Sequence, residues 1–312
     1  MDLVGSRAAL RRWAIASLVG NMGIVVTGGL VRLTGSGLGC SSWPQCEPGS
    51  YVPPVPTVNA SIEFGNRLLT FVLIVIAVGT FVAAWKARDA AGRPRPDLRR
   101  LALATGLGIP AQAVIGGVSV LVGLNPWWVG LHLVVSIALI VLCVVMIHTA
   151  GDLPPLPLRP LARVLARFTF AVGLVSLLLG MVVTGAGPHA GDAEAPRNGL
   201  ELAAVARVHS LSVWVVVALT IALVVVTAGS GAARRAVWVL LAVELVQAAI
   251  GYLQYFLGLP VVVVALHVLG ATLFTAALAH LWWSARSPAA GVHEGAEAAG
   301  LLRREAGRPP RR

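Results

Sequence analysis

The sequence predicts an all-α integral membrane protein with eight transmembrane helices, arranged as two repeated four-helix bundles with both termini in the cytoplasm. Composition, the length of the apolar runs and an internal repeat support this prediction. Of the 312 residues, 57% are hydrophobic and only 12% are charged, whereas a soluble domain carries about a quarter charged residues. The apolar runs are continuous rather than alternating, which indicates helices and excludes a β-barrel.

Each predicted helix is an apolar run of about 20 residues, the length that crosses the hydrocarbon core of a bilayer. The runs that we number helix 1 to helix 8 are 13–31, 63–85, 101–123, 127–149, 165–184, 203–228, 234–257 and 260–283. They divide the chain into a cytoplasmic N-terminus (1–12), an N-terminal bundle (13–150), a cytoplasmic linker (151–164), a C-terminal bundle (165–284) and a tail (285–312). We expect the tail to be disordered.

The net charge of +11 does not indicate nucleic-acid binding, because the basic residues are segregated along the chain. They are concentrated before helix 1, after helix 8 and in the connections that follow helices 2, 4 and 6. With eight spans, all these segments lie on one side of the membrane. The positive-inside rule therefore places both termini in the cytoplasm of a protein embedded in the lipid of the cell membrane.

An internal repeat relates the two halves of the chain. Residues 112–132 and 247–267 align without a gap, and "GIVVTG" in helix 1 matches "GMVVTG" in helix 5. The aligned pairs share one offset and are Gln112/Gln247, Gly116/Gly251, Gly123/Gly258, Leu124/Leu259 and His132/His267. Because each copy has an even number of spans, both copies insert in the same orientation. We predict that the glutamines bridge helices and that the glycines permit close helix packing.

Three histidines lie near the outer ends of even-numbered helices: His132 in helix 4, His209 in helix 6 and His267 in helix 8. His209 and His267 are at similar depth on different helices, which axial ligation of one haem iron requires. In the first copy, Asn66 of helix 2 takes the place of His209, with His132 as its partner. A lone intramembrane histidine is more often part of a hydrogen-bonded network or a proton path, and this alternative stays open.

Helix 2 begins with a polar stripe in "EFGNRLLT". Glu63, Asn66, Arg67 and Thr70 are spaced so that they share one helical face. Glu63 is therefore a candidate functional carboxyl group, although it could instead cap helix 2. Arg67 and Arg207 lie at the outer ends of helices 2 and 6, where they could bind anionic groups or extend to the membrane interface.

Other polar residues have several interpretations. Cys40 and Cys46, in the outer loop "GCSSWPQCEPG", are predicted to form a short-loop disulfide, with two free thiols as the alternative. Cys143 lies inside helix 4 and is expected in the core. His189 of a second outer loop could cover a site or be solvated, and Glu244 of helix 7 could serve a proton route or a structural hydrogen bond.

The chain resembles the haem A synthase family. The resemblance rests, in this order, on "TGGLVRLTGSGLGCSSWPQC", "EFGNRLLT", "GLH", "VVTGAGPHAGD" and "ALH". It extends from helix 1 to helix 8 and leaves out the termini. The family oxidises a methyl group of haem O to the formyl group of haem A for terminal oxidases. The resemblance therefore implies an oxidoreductase that acts on haem O.

The resemblance also implies roles for single residues. The cofactor, haem b, is expected between His209 and His267 in the C-terminal half, and the substrate haem in the N-terminal half. The family's glutamate maps onto Glu63, and one of its two N-terminal histidines maps onto His132. The other falls on Asn66, where this sequence departs from the family pattern.

The remaining implications concern the surroundings of the two haems. Haem propionates need cationic partners near a surface, which would suit Arg67 beside the substrate haem and Arg207 in the other half. The cysteine pair of some family members maps onto Cys40 and Cys46. Haem O synthase is the expected donor of the substrate, the haem sites are expected toward the extracytoplasmic side, and the sequence does not identify the electron partner.

Two other functions compete with this interpretation. A di-haem b-type electron carrier would need four good iron ligands, but Asn66 is a poor one and Glu63 would have no task. A transporter is suggested by the repeat and by the intramembrane Glu244. Against it, helices 3 and 7 show no clear break that would expose backbone to a substrate.

Overall fold

The chain folds into eight α-helices in the computed structural model, which describes residues 7–229 and 231–286. The helices are α1 (Arg7–Leu33), α2 (Val58–Lys86), α3 (Pro96–Leu121), α4 (Pro126–Ala150), α5 (Pro160–Ala186), α6 (Leu202–Val226), α7 (Gly231–Phe256) and α8 (Val261–Ser284). All eight are long and apolar enough to cross a membrane. The predicted all-α fold with eight membrane-length helices is therefore confirmed. The tail predicted to be disordered lies outside the described residues from residue 287 onward.

Several helices begin before the predicted apolar runs, because polar or proline residues start them. α2 begins at Val58, and the Thr57 hydroxyl oxygen accepts a hydrogen bond from the backbone N–H of Ala60. Thr57 is thus the N-cap, and the alternative in which Glu63 caps this helix is wrong. α5 begins at Pro160, inside the stretch predicted as a linker, because proline has no N–H to leave unpaired in a first turn.

The helices pack as two similar four-helix bundles. In the first, α1 contacts α2 and α4, and α3 contacts α2 and α4; α5 to α8 repeat this pattern. In each bundle the second and fourth helices are therefore diagonal to each other. The bundles meet where α8 contacts α1 and α4, and where α4 contacts α5. When α1 to α4 are matched with α5 to α8, the contact of α1 with α8 corresponds to the contact of α5 with α4. This correspondence is the one that the predicted repeat requires.

The turns that follow α3 and α7 have the same geometry. Gly123 and Leu124 have φ of 63° and 59°, and Gly258 and Leu259 have φ of 75° and 62°. In both turns the leucine N–H donates to the carbonyl five residues earlier, at 2.7 Å. The prediction that Gly123 and Gly258 permit close helix packing is wrong, because both adopt the left-handed conformation that ends a helix and neither faces a close neighbour among the described residues.

The two largest apolar cores lie at the ends of the bundles remote from the three histidines that are candidate ligands. The N-terminal core surrounds Leu10, Leu98 and Met146, which come from the start of α1, the start of α3 and the end of α4. The C-terminal core includes Leu240 and Leu278. Many large apolar side chains on the helix surfaces that point away from the bundle interiors are exposed, as expected for helices in contact with lipid. The polar site residues thus occupy the opposite halves of the bundles.

The loop between α1 and α2 is closed by the predicted disulfide. Cys40 and Cys46 are bonded through their sulfur atoms, and both residues are buried. The backbone N–H of Ser42 donates to the carbonyl of Cys46 at 3.1 Å, inside the small ring. Cys143 is a free, buried cysteine of α4, as predicted. The loop is therefore a compact structure that lies over the start of α2.

We predict that denatured, non-reduced protein treated with an alkylating reagent carries one modified cysteine, Cys143. Reduction before alkylation should raise the number to three. The ring closed by the disulfide is short, so the entropic stabilisation is modest, about 2 kcal/mol, and Cys40→Ser should still yield a folded membrane protein. Mass spectrometry of the peptides counts the modified thiols. Three modified cysteines without reduction would refute the bridge.

Candidate functional site

The C-terminal bundle brings two histidines together. His209 lies two turns into α6 and His267 two turns into α8, and these helices are diagonal across the bundle. Two imidazoles that face each other across a bundle at one depth could bind a planar group between them.

The imidazole of His209 is oriented by α5. Its Nδ1 lies 3.1 Å from the backbone carbonyl oxygen of Ser176. A carbonyl oxygen only accepts, so Nδ1 carries the proton and Nε2 is left with a free lone pair. A methyl group at Gly180 would lie 3.2 Å from Cε1 of His209, so glycine permits this approach. Metal-ligating histidines are commonly held through their other nitrogen in this way.

His267 is positioned by α7. The side-chain amide of Gln247 donates a hydrogen bond to the backbone carbonyl of His267 at 2.7 Å, as the predicted helix bridge requires. A methyl group at Gly251 would lie 3.2 Å from Cε1 of the His267 ring. Nδ1 is buried without a hydrogen-bond partner among the described residues, and it is the ring nitrogen on the Gly251 side. α7 therefore fixes both the depth and the direction of this imidazole.

The N-terminal bundle repeats this arrangement around His132. The side-chain amide of Gln112 donates to the backbone carbonyl of His132 at 3.0 Å and to the hydroxyl of Ser136 at 2.5 Å. A methyl group at Gly116 would lie 3.1 Å from Cε1 of His132, and Nδ1 is again buried without a partner in the described part of the chain. The two histidines at matched repeat positions thus have matched surroundings.

Diagonally across this bundle, α2 presents Glu63. The residue is 5% exposed. One carboxylate oxygen accepts the backbone N–H of Cys40 at 2.6 Å, and the other pairs with Nη2 of Arg67 at 2.5 Å. Nη1 of Arg67 donates to the carbonyls of Ser42 and Gln45, at 3.1 and 3.2 Å. The Glu63–Arg67 pair therefore fastens α2 to the disulfide loop, a connection that the sequence did not predict.

Asn66 of α2 also faces the interior of the N-terminal bundle. Its Oδ1 accepts a hydrogen bond from the Thr27 hydroxyl of α1 at 2.8 Å. His209 approaches Gly180, whereas a methyl group at Gly23, the repeat counterpart of that glycine, would meet no atom of the described residues within 4 Å. Thr27, the partner of Asn66, lies four residues after Gly23 in α1. Asn66 therefore contacts α1 about one turn closer to the outer end than the level at which His209 contacts α5. The N-terminal bundle has an amide near the place where the C-terminal bundle has an imidazole.

The outer loops join the two halves above these residues. Arg32, at the end of α1, donates through Nε to the carbonyl of His189 at 2.5 Å and through Nη2 to the carbonyl of Thr184 at 2.8 Å. Nε2 of His189 bonds the carbonyl of Leu259 at 2.9 Å. His189 is therefore a link between loops rather than a solvated side chain. Arg32 was not among the predicted site residues, since its partners are backbone atoms more than 150 residues away.

Arg207 is exposed, and its Nε donates to the carbonyl of Ala203 one turn earlier in α6. It forms no ion pair with a carboxylate of the described residues, unlike Arg67. Its guanidinium is therefore available to an external anion, while the described contacts of Arg67 already engage all three of its nitrogens.

The donor sets fit haem better than a bare metal ion. Among the residues that the structure describes, no three or more His, Cys, Asp or Glu side chains group as ion ligands. The C-terminal bundle offers two facing imidazoles, a set that fits a haem iron with two axial histidines. The N-terminal bundle offers one imidazole, from His132, opposite the Glu63 carboxyl group and the Asn66 amide.

Comparisons with known proteins agree with this geometry. The chain matches a family model described as COX15-CtaA, cytochrome oxidase assembly protein, over residues 11–60 and 55–279. It is 35% identical to a heme A synthase of Lysinibacillus sphaericus over 129 residues, which are 41% of this chain and 40% of that protein.

Two further relatives carry the same description. A heme A synthase of Listeria welshimeri is 31% identical over 44% of this chain and 45% of its own length. One of Bacillus pumilus is 27% identical over 57% and 58%, respectively. Each of these matches covers less than two thirds of the relative. The family model, in contrast, extends from α1 into α8, and the chain therefore belongs to the COX15-CtaA family of cytochrome oxidase assembly proteins.

Proposed function

We propose that this chain is a haem A synthase, which oxidises a methyl group of haem O to the formyl group of haem A in the cell membrane. One observation carries the proposal: His132, in surroundings that match those of His267, lies diagonally across its bundle from the buried Glu63. A bundle with two imidazoles is suited to hold a haem, whereas one with an imidazole and a carboxyl group can also act on it. Family membership and the names of the relatives support the same activity.

In this proposal the C-terminal half would hold haem b as the resident cofactor, with His209 and His267 as the residues that bind its iron. When bound, this haem supplies one-electron transfer. The chain contributes the orientation of the ligands: the Ser176 carbonyl fixes the His209 ring, and Gln247 fixes the backbone of His267. The glycines that face the two rings leave them room to lie against α5 and α7. Arg207, exposed at the outer end of α6, is the candidate partner for a propionate.

The N-terminal half holds the substrate haem O, with His132 as its iron ligand. An amide is a poor ligand for haem iron beside imidazole, so Asn66 leaves the sixth position open or exchangeable. The long apolar tail of haem O partitions into lipid and can enter between helices from the bilayer. An open position favours entry of the substrate and release of the product, but it weakens retention of the haem.

Glu63 is the proposed catalytic carboxyl group. Conversion of a methyl group into a formyl group breaks two C–H bonds, and with water as the oxygen source it releases four protons and passes four electrons to an external acceptor. A carboxylate beside that carbon can accept a proton or stabilise developing positive charge. Cys40 and Arg67 hold both oxygens of Glu63 in place. We therefore propose that Arg67 belongs to the substrate site as the residue that positions Glu63.

The same proposal includes the side of the membrane on which the haem sites lie and the partners of the protein. The haem sites lie in the outer halves of the bundles, toward the extracytoplasmic side if the basic connections are cytoplasmic. Haem O arrives from the enzyme that makes it, haem O synthase, and a separate electron partner serves haem b.

We predict that changing either His209 or His267 to alanine abolishes the low-spin b-type spectrum of the purified protein, because each variant leaves one imidazole on the iron. Cells with either variant should accumulate haem O. His280→Ala, in the same helix as His267 but 13 residues further on, is the control and should keep the spectrum. A low-spin haem retained in both single variants would disprove the ligand assignment.

We predict that Glu63→Gln keeps haem in the N-terminal half but lowers formyl production by roughly 10²–10⁴-fold, the usual contribution of a general acid–base group. Glutamine keeps the size of the side chain and can still accept the Cys40 N–H. Chromatography of extracted haems measures haem O, the alcohol intermediate and haem A. Glu194→Gln, at an exposed loop position, should resemble wild type. Wild-type haem A production by Glu63→Gln would remove Glu63 from the mechanism.

A further inference from the structure

Glu244 is a buried carboxyl group that the proposed reaction does not use. It lies in the middle of α7 and is 3% exposed. Oε1 accepts a hydrogen bond from the Thr220 hydroxyl of α6 at 2.8 Å. Oε2 is buried and has no hydrogen-bond partner among the described residues, and no ion pair there includes Glu244. Burying an ionised carboxylate with so few partners costs free energy, and this cost favours the protonated form.

The position of Glu244 relates it to the C-terminal histidine pair. It precedes Gln247 by three residues, about 4.5 Å along the helix, and Gln247 bonds the backbone carbonyl of His267. The His267 ring lies beside Gly251, seven residues after Glu244, so Glu244 lies about 10 Å, or two turns, inward from the level of that ring. On α6, the apolar residues Val216 and Val217, both buried, lie between Thr220 and His209. The path between the carboxyl group and the histidine pair is thus poorly screened by water.

The first bundle has no such group at the matching position. The repeat matches Glu244 with Ile109, which is buried and apolar. A small cavity there is lined by neutral polar side chains, among them Ser17, Asn21 and Thr105. The carboxyl group is therefore a feature of the cofactor half alone, which argues against a role in the scaffold shared by the two bundles.

Few charged or titratable groups face Glu244. α5 has only Arg163 and Arg167, both near its start. Those on the other helices of this bundle are Arg207 and His209 of α6, Arg234, Arg235, Tyr252 and Tyr255 of α7, and His267 and His280 of α8. The arginines and tyrosines lie toward the helix ends, and His280 is more than three turns from His267. His267, about two turns outward from Glu244, is therefore the nearer of the two candidate haem ligands, and Tyr252 lies at a similar distance along α7.

We propose that Glu244 is a redox-linked proton site of the C-terminal haem. The inference rests on the proposed binding of haem b by His209 and His267. An oxidised haem carries one more positive charge than a reduced haem, and this charge stabilises the ionised carboxylate through the low-dielectric bundle. Reduction removes that charge, and the carboxylate then binds a proton.

The step is balanced. One electron enters the haem from an external reductant, and one proton from water forms an O–H bond on Oε2 of Glu244. Oxidation reverses both transfers: the electron leaves to an external acceptor, and the O–H bond releases its proton. Oε2 is the assigned atom because Thr220 already donates to Oε1. Glu244 would thus keep the charge inside the bundle constant while electrons pass.

The first test is an equilibrium redox titration of the purified holoprotein at several pH values, for wild type and Glu244→Gln. In wild type the midpoint potential should fall as pH rises, by up to a tenfold change in the reduction equilibrium per pH unit, about 59 mV for one electron. Glu244→Gln should have a higher potential and a shallower pH dependence. Glu201→Gln, an exposed cap of α6, should follow wild type. The same change of midpoint potential per pH unit in wild type and in Glu244→Gln would overturn the inference.

A second measurement does not depend on the folding of Glu244→Gln. Infrared difference spectra between the reduced and oxidised wild-type protein should show a protonated carboxyl band on reduction. Thr220→Val should shift this band because it removes the hydrogen bond to Oε1. Thr169→Val, a buried threonine that bonds its own helix, should not. The absence of a carboxyl band that responds to Thr220→Val would overturn the inference.

The two proposals fail in different ways. A wild-type protein without a bis-imidazole haem spectrum would overturn both the C-terminal haem and the role of Glu244. A bis-imidazole haem spectrum together with the same pH dependence of the midpoint potential in wild type and Glu244→Gln would overturn the role of Glu244. It would leave the proposed function intact.

Discussion

The structure depends on one constraint: a polar group inside a membrane bundle has only other protein groups to bond. The side-chain N–H groups of Gln112 and Gln247 meet it by donating to the backbone carbonyls of His132 and His267, whereas the Oε1 atoms of both glutamines are buried without a partner among the described residues. These bonds join α3 to α4 and α7 to α8 at the depth where the histidines project inward. The polar interior of the outer bundle halves, and with it the proposed haem chemistry, follows from this arrangement.

The two bundles share this frame but differ in what faces the histidine of the fourth helix. In the C-terminal bundle His209, held by the Ser176 carbonyl, faces His267. In the N-terminal bundle Glu63 and Asn66 lie on the helix diagonal to that of His132, and Glu63 accepts a hydrogen bond from the disulfide loop. In the proposed function this scaffold would provide a cofactor site with two imidazoles and a substrate site with a weaker sixth ligand, a division that would suit an enzyme whose substrate and product are both haems.

Much of the fold could be predicted from the sequence, because hydropathy is read from each segment and the repeat is read by aligning the two halves of the chain. The eight spans and the bridging of helices by Gln112 and Gln247 follow from them, although the histidine carbonyls that these glutamines bond do not. The role of Gly123 does not, because packing glycines and turn glycines look alike in sequence. The bonds of Cys40 to Glu63 and of Arg32 to His189 involve backbone atoms distant along the chain, and no residue pattern predicts them. The hydrogen bond that Glu244 accepts depends on how α6 packs on α7.

The most direct test of the central claim is electron paramagnetic resonance of the purified protein loaded with haem O. We expect a low-spin bis-imidazole signal from the C-terminal half and a high-spin or ligand-exchangeable signal from the N-terminal half. Asn66→His should convert the second signal to low-spin and hold the haem more tightly. Two bis-imidazole signals in the wild-type protein would contradict the claim, since another histidine would then have to ligate the substrate haem beside His132.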